Sequence, residues 1–175
     1  MKKILLAFIL SLSLFSKSSF AMDTEKAGDI LLVLIPSAAL GSPFYLDDSQ
    51  GQMQFYKSFG TNLALTYALK YGVDKKRPNG EDHSFPSGHT SISFQSAAFI
   101  HKRYGLKYAL PAYLAAGFVG YSRVDSKKHY TSDVAAGAVL GMLSSFFFTT
   151  KYKGFDIQAQ ALTSGTYGII LSRSW

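Results

Sequence analysis

Between Lys70 and Asp133 the chain alternates three short polar fragments with two apolar runs of helix length, and this alternation constrains its fold more than any other feature. The fragments are Lys70-Tyr71-Gly72-Val73-Asp74-Lys75-Lys76-Arg77-Pro78, Pro86-Ser87-Gly88-His89, and Ser122-Arg123-Val124-Asp125-Ser126-Lys127-Lys128-His129-Tyr130-Thr131-Ser132-Asp133. The intervening runs, Thr90 to Ile100 and Tyr108 to Tyr121, are apolar enough to be buried helices. The fragments hold cations, histidines and one late carboxylate, so an anion site is expected where they meet.

The rest of the chain reads as helical around them. Gly28 to Leu40 is apolar but broken by Asp29 and Pro36, which predicts a bent helix or two shorter pieces, with Gly41 to Gly51 a loop. Gln52 to Tyr71 places Phe55, Phe59, Leu63 and Tyr67 on one face and Leu65 and Leu69 in a second row, which predicts a helix buried on two sides, Lys70 pointing inward near its end and Gly72 stopping it. Lys75 to Ser84 is a charged loop. Helices are expected over Thr90 to Arg103, Leu106 to Gly120 with Pro111 in its first turn, and Asp133 to about Lys151. Thr131 or Ser132 would cap the last of these, and Ala135, Ala136, Gly137 and Ala138 allow close helix packing before Phe146-Phe147-Phe148. Asp156 to Leu162 and Tyr167 to Trp175 flank a turn-like Thr163-Ser164-Gly165-Thr166. The fold class is therefore all-α: a compact bundle of five to six helices with a short C-terminal β-hairpin.

The N-terminus has the layout of a secretory signal peptide: a basic Met1-Lys2-Lys3, a short apolar run from Ile4 to Phe15, and small residues up to Ala21. Residues 1–21 are read as the leader, 22–151 as the helical domain and 152–175 as a tail or flap. Removing the leader takes away Lys2, Lys3 and Lys17 and no acids, so the net charge drops from +7 to +4. Much of the remaining surplus sits in the three fragments, which favours a local anion site over a nucleic-acid surface. There are no cysteines, so stability comes from packing alone. The mean hydropathy of +0.09 is low for a polytopic chain, and a periplasmic helical domain, soluble or membrane-associated, is the expectation.

The spacing Lys70, six residues, Arg77-Pro78; then Pro86-Ser87-Gly88-His89; then Ser122-Arg123, five residues, His129, three residues, Asp133 resembles the three-part signature of the type 2 phosphatidic acid phosphatase superfamily, which also holds acid phosphatases and vanadium haloperoxidases. That resemblance implies that Lys70, Arg77, Ser87, the Gly88 N–H and Arg123 bind phosphate. It implies that His129 attacks phosphorus to give a phosphohistidine, with Asp133 orienting it. His89 would protonate the leaving oxygen and then activate water. Such a route needs no metal and no cofactor. The implied substrate is a phosphorylated lipid or a small phosphoester, met at a membrane surface on the periplasmic side of the cell envelope.

The residues fit this chemistry on their own terms. A phosphoryl group spreads charge over three oxygens, and guanidinium forks and a helix N-terminus are suited to hold it. A neutral imidazole held by a carboxylate is a competent nucleophile. No His-Glu-x-x-His spacing points to a metal, and neither Ser87 nor Ser122 sits in a nucleophile elbow. A soluble broad-specificity acid phosphatase, a vanadium haloperoxidase and a non-catalytic phospholipid-binding protein stay open as rivals. His83 and His101 lie outside the pattern and read as structural. Lys75, Lys76, Lys127 and Lys128 read as solvated faces.

Overall fold

The computed structural model describes residues 23–152 together with the backbone of two strands, Phe155–Ala161 and Tyr167–Arg173. The leader expected over residues 1–21 and the turn expected at 163–166 lie outside the described residues. Five helices follow in order: α1 (Thr24–Tyr45), α2 (Ser49–Gly72), α3 (Gly88–Tyr104), α4 (Leu106–Asp125) and α5 (Thr131–Phe148). Strands β1 (Phe155–Ala161) and β2 (Tyr167–Arg173) pair antiparallel, with Phe155 opposite Arg173 and Ala161 opposite Tyr167. The all-α bundle is as expected, with the hairpin at its C-terminal end.

Helix α3 is the centre, packed against each of the other four. Its buried side is mostly small and polar: Thr90, Ser91, Ser93, Gln95 and Ser96 are fully buried beside Ala97, Ala98 and Phe99. Buried polar groups need partners, and for Ser91 and Gln95 the partners lie on neighbouring helices. Ser91 Oγ donates to Asn62 Oδ1 at 2.6 Å and lies 2.9 Å from Thr66 Oγ1, while Gln95 Nε2 donates to Ser58 Oγ at 3.0 Å. From the other side Ser145 Oγ donates to the Gln95 carbonyl at 2.6 Å. Gly137 and Gly141 of α5 sit so close to α3 that a Cβ on either would fall within 2.5 Å of an α3 carbonyl oxygen. The close packing read from the small residues after Val134 is therefore real, although Gly137 and Gly141 are its contact points.

Several local expectations are corrected. Helix α1 is continuous through Pro36 and Pro43, so residues 41–45 are helical rather than loop. A proline leaves the carbonyl four residues back without its donor; for Pro43 that carbonyl is Ala39, and the Ser42 hydroxyl donates to it at 2.9 Å. Helix α2 buries one stripe, Gly51, Phe55, Ser58, Asn62 and Thr66, while Leu65, Tyr67 and Leu69 are exposed. The expected first row thus turns inward at Phe55 and Phe59, its Tyr67 and the second row of Leu65 and Leu69 being exposed, because Ser58, Asn62 and Thr66 take the rest of the inner face through the polar ladder to α3. Pro111 stands past the first turn of α4, since Gly105 alone separates α3 from α4, with φ at 105° where glycine is favoured. Tyr130, not Thr131 or Ser132, caps α5: its N–H donates to Asp133 Oδ2 at 3.1 Å.

At one end of the bundle, Arg103 at the close of α3 is clamped. Nε and Nη2 donate to the two carboxylate oxygens of Asp48, and Nη1 donates to the carbonyls of Thr150 and Lys151, each at 3.0 Å. Tyr104 adds a hydroxyl bond to Asp48 at 3.0 Å. This joins the start of α2, the end of α3 and the chain after α5. The sequence reading attached no role to Asp48 or Arg103.

Candidate active site

The opposite end gathers the start of α1, the end of α2, the start of α3, the end of α4 and the start of α5. Consecutive helices run antiparallel, so the three polar fragments, each at a helix terminus on this side, are brought together. A backbone bond joins the second fragment to the third, Ser87 N–H donating to the Asp133 carbonyl at 2.9 Å, and within the third His129 N–H donates to the Arg123 carbonyl at 3.1 Å. Ser87 caps α3, its Oγ accepting from Thr90 N–H at 3.4 Å, so the N–H groups of Gly88 and His89 open the helix.

His129 is 4% exposed and lies in the connection between α4 and α5. Its Nδ1 stands 3.9 Å from Asp133 Oδ2 and has no hydrogen-bond partner. Burial, together with the Lys70 and Arg77 cations, pushes the imidazole down to about 4, against weaker opposing pulls from the Ser84 backbone and the Asp133 carboxylate. It is therefore neutral at pH 7, the form a nucleophile needs. Asp133 is fully buried, and its oxygens are taken by other donors: Lys75 Nζ at 2.6 Å on Oδ1, Ser84 Oγ at 2.5 Å and Tyr130 N–H on Oδ2.

The remaining cations are each held in place. Lys70 Nζ donates to the carbonyls of His83 and Pro86 at 2.8 and 3.1 Å, tying the end of α2 to the turn before α3. Arg77 pairs with Glu81 at 2.6 Å, leaving its buried Nε free of a partner. Arg123 is buried, donating from Nε to Ser122 Oγ at 3.1 Å and from Nη2 to the Glu25 carbonyl at 2.8 Å, and its Nη1 pairs with Asp29 Oδ1 at 2.9 Å. Arg77 and Arg123 both lie close enough to His89 for their charges to act on it. His89 Nε2 meets the same Asp29 oxygen, Oδ1, at 3.3 Å.

All eight residues singled out in the sequence fall at this end of the bundle. His83 and His101 are structural, as expected: His83 Nδ1 faces the Lys70 carbonyl at 3.2 Å, and His101 Nδ1 faces Tyr113 Oη at 3.2 Å. Three site neighbours were missed. Lys75, read as a solvated lysine, is the ion partner of Asp133. Ser84 hydrogen-bonds the same carboxylate. Asp29, read only as an interruption of an apolar run, joins His89 to Arg123. Lys128 is likewise paired, 3.7 Å from both Glu25 and Glu81. These contacts bridge up to 103 residues of sequence, from Glu25 to Lys128, and no periodic pattern carries them.

This end of the helical bundle gathers two imidazoles, His89 and His129, among the cations Lys70, Arg77 and Arg123. The PAP2 superfamily model matches residues 42–155, and the chain belongs to that superfamily. It is 32% identical over 176 residues to the lipid A 4'-phosphatase of Helicobacter pylori, covering 86% of this chain and 85% of that one. To the lipid A 1-phosphatase of Porphyromonas gingivalis it is 37% identical over 101 residues, covering 54% of this chain, and it spans only 23% of that protein's length. The fold is similar to the crystal structure of Aquifex aeolicus LpxE, with a TM-score of 0.58 at 20% identity, covering 74% of this chain and 95% of that one.

Proposed function

We propose that the protein is a metal-independent phosphatase that removes phosphate from a lipid phosphate through a phosphohistidine intermediate. The observation that carries this is the buried, neutral His129 among Lys70, Arg77 and Asp133, with His89 and Arg123 completing the same end of the bundle. In the mechanism, Lys70, Arg77 and Arg123 neutralise the phosphoryl oxygens while Ser87 and the Gly88 N–H add neutral donors. His129 attacks phosphorus, and the P–O bond to the lipid breaks. Asp133, one helical turn on, stabilises the imidazolium as it forms. His89 gives its proton to the departing oxygen, then takes one from the water that cleaves the phosphohistidine. The names of the two curated relatives favour the phosphorylated headgroup of lipid A as the substrate class.

We further propose that the bundle lies in the envelope membrane, with this site at its periplasmic face. Helices α1 and α5 are long and apolar enough to cross a bilayer, and only 28% of the apolar window of each is buried inside the bundle. Large apolar side chains such as Leu114 (70% exposed) and Phe147 (84% exposed) face outward while serines fill the interior. Outward apolar surface over a polar, small-residue interior suits lipid as the surrounding solvent. This reading replaces the weight given to low mean hydropathy, which the polar interior itself depresses.

The test is phosphate release from lipid A phosphates, other lipid phosphates and a soluble aryl phosphate, with chelator present, comparing wild type with His129→Ala. Chelator-resistant release from lipid substrates that disappears in the variant supports the proposal. Release from the soluble ester alone, by protein that stays in detergent-free extract, would favour a soluble acid phosphatase instead.

A further inference from the structure

We propose that the Asp29 carboxylate is a built-in occupant of the phosphoryl site, which an incoming phosphate must displace and which helps product phosphate to leave. This rests on the reading of His89 and Arg123 as phosphoryl-handling groups. One oxygen, Asp29 Oδ1, forms an ion pair with Arg123 Nη1 at 2.9 Å and faces His89 Nε2 at 3.3 Å. Nε is committed to Ser122 Oγ and one Nη2 N–H to the Glu25 carbonyl, while Nη1 is the nitrogen paired with Asp29, so Nη1 is the one that an anion taking the place of Asp29 would meet. A phosphoryl oxygen placed to receive both a charge from Arg123 and a proton from His89 would sit where Asp29 Oδ1 sits.

The arrangement is built into the packing of α1. A Cβ on Gly28 would fall 2.0 Å from Ser122 Oγ and 2.8 Å from Arg123 Nη2, so glycine at this position is what lets α1 approach α4 closely enough to deliver the next residue. Asp29 itself is 49% exposed while Arg123 is buried, so the carboxylate can swing out as the guanidinium stays. Asp29 also lies outside the stretch that the family model matches. A like charge at hydrogen-bond range opposes a phosphate dianion strongly when both are partly shielded from water.

The experiment measures the affinity of full-length protein in detergent micelles for inorganic phosphate, by calorimetry, for wild type, Asp29→Asn and Asp29→Ala. Both variants are expected to bind phosphate about tenfold more tightly, with lower KM and stronger product inhibition. Affinity unchanged within about twofold, or weakened, overturns the proposal. A fall in kcat with unchanged phosphate affinity also overturns it, assigning Asp29 instead to orienting His89. Repeating the titration in His129→Ala separates the two readings, because phosphate binding needs no chemistry: turnover retained in His129→Ala with a preserved Asp29 effect sinks the phosphohistidine route alone. A structure of unmodified protein with phosphate bound gives a second check that no variant's folding can obscure. The Asp29–Arg123 contact should open with a phosphoryl oxygen in its place, and a contact still closed with phosphate bound contradicts the proposal.

Discussion

Replacing Gly137 by alanine should damage the site from a residue that takes no part in the chemistry. An added Cβ would lie 2.5 Å from the Ser87 carbonyl oxygen and 3.3 Å from Ser91 N, both backbone atoms that cannot rotate away. Reaching ordinary contact requires α5 and α3 to part by about 1 Å at this point, an overpacking that costs about 1–3 kcal/mol. Alanine's better helix propensity recovers up to about 1 kcal/mol of that. For a chain this long each kcal/mol shifts Tm by about 2–4 °C, so a fall of a few degrees is expected. The functional effect should be larger, because the same displacement separates Ser87 and His89 on α3 from His129 and Asp133 at the head of α5, and about 1 Å of misplacement can cost 10²-fold in rate. The assay pairs thermal unfolding in detergent with kcat/KM on a lipid phosphate. Gly60→Ala and Gly117→Ala serve as controls, since nothing lies within 4 Å of an added Cβ at either. Wild-type Tm and kcat/KM in Gly137→Ala would refute the claim that this helix contact sets the site.

Four further outcomes are expected. Asp48→Asn should destabilise the protein by about 3 kcal/mol, because it leaves the buried Arg103 without its counter-charge, yet leave the pH dependence of activity unmoved; unfolding and pH profiles check this. The acid limb of kcat/KM due to the nucleophile should fall near pH 4 rather than 6.5, because burial and the Lys70 and Arg77 cations keep His129 neutral. The same shift acts on stability: between pH 4 and 6.5 the unfolded chain holds a proton that the folded one does not, so the stabilisation is complete above pH 6.5 and is lost as pH falls toward 4, measurable as a falling Tm. Lys75→Met should raise the pH of the acid limb, since Asp133 without its 2.6 Å cation partner favours the protonated His129 more strongly; an unmoved limb would show that Lys75 does not control that charge.

The helices and the gathering of the signature were legible in the sequence because both rest on local signals: apolar runs of helix length, and polar fragments at their ends. An alternation of short loops and helices forces neighbours antiparallel, which puts fragments two helices apart at the same end. What could not be read was which face of each helix turns inward. In α2 the second apolar row, Leu65 and Leu69, and Tyr67 at the end of the first point out although Phe55 is buried, because Ser58, Asn62 and Thr66 find partners on α3 that lie about 25 to 37 positions away in the chain. Patterning assumes that apolar rows turn inward, and here buried hydroxyls and amides that pair with one another share the interior with the apolar core of Ile35, Phe55, Phe99 and Val119. The same limit hid Asp29 and Lys75. A carboxylate in an apolar run and one lysine among several acquire roles only from Arg123 and Asp133, which the fold brings to them from 94 and 58 residues away.

The central claim is that phosphate passes through His129. The direct test is to quench turnover of a phosphate-labelled lipid substrate in alkali within a single cycle and map the label by mass spectrometry. The account predicts an acid-labile, alkali-stable phosphoryl group on the peptide carrying His129, present in wild type and absent from His129→Ala. Full turnover by His129→Ala, or label trapped on Ser87 or another residue in wild type, would contradict it.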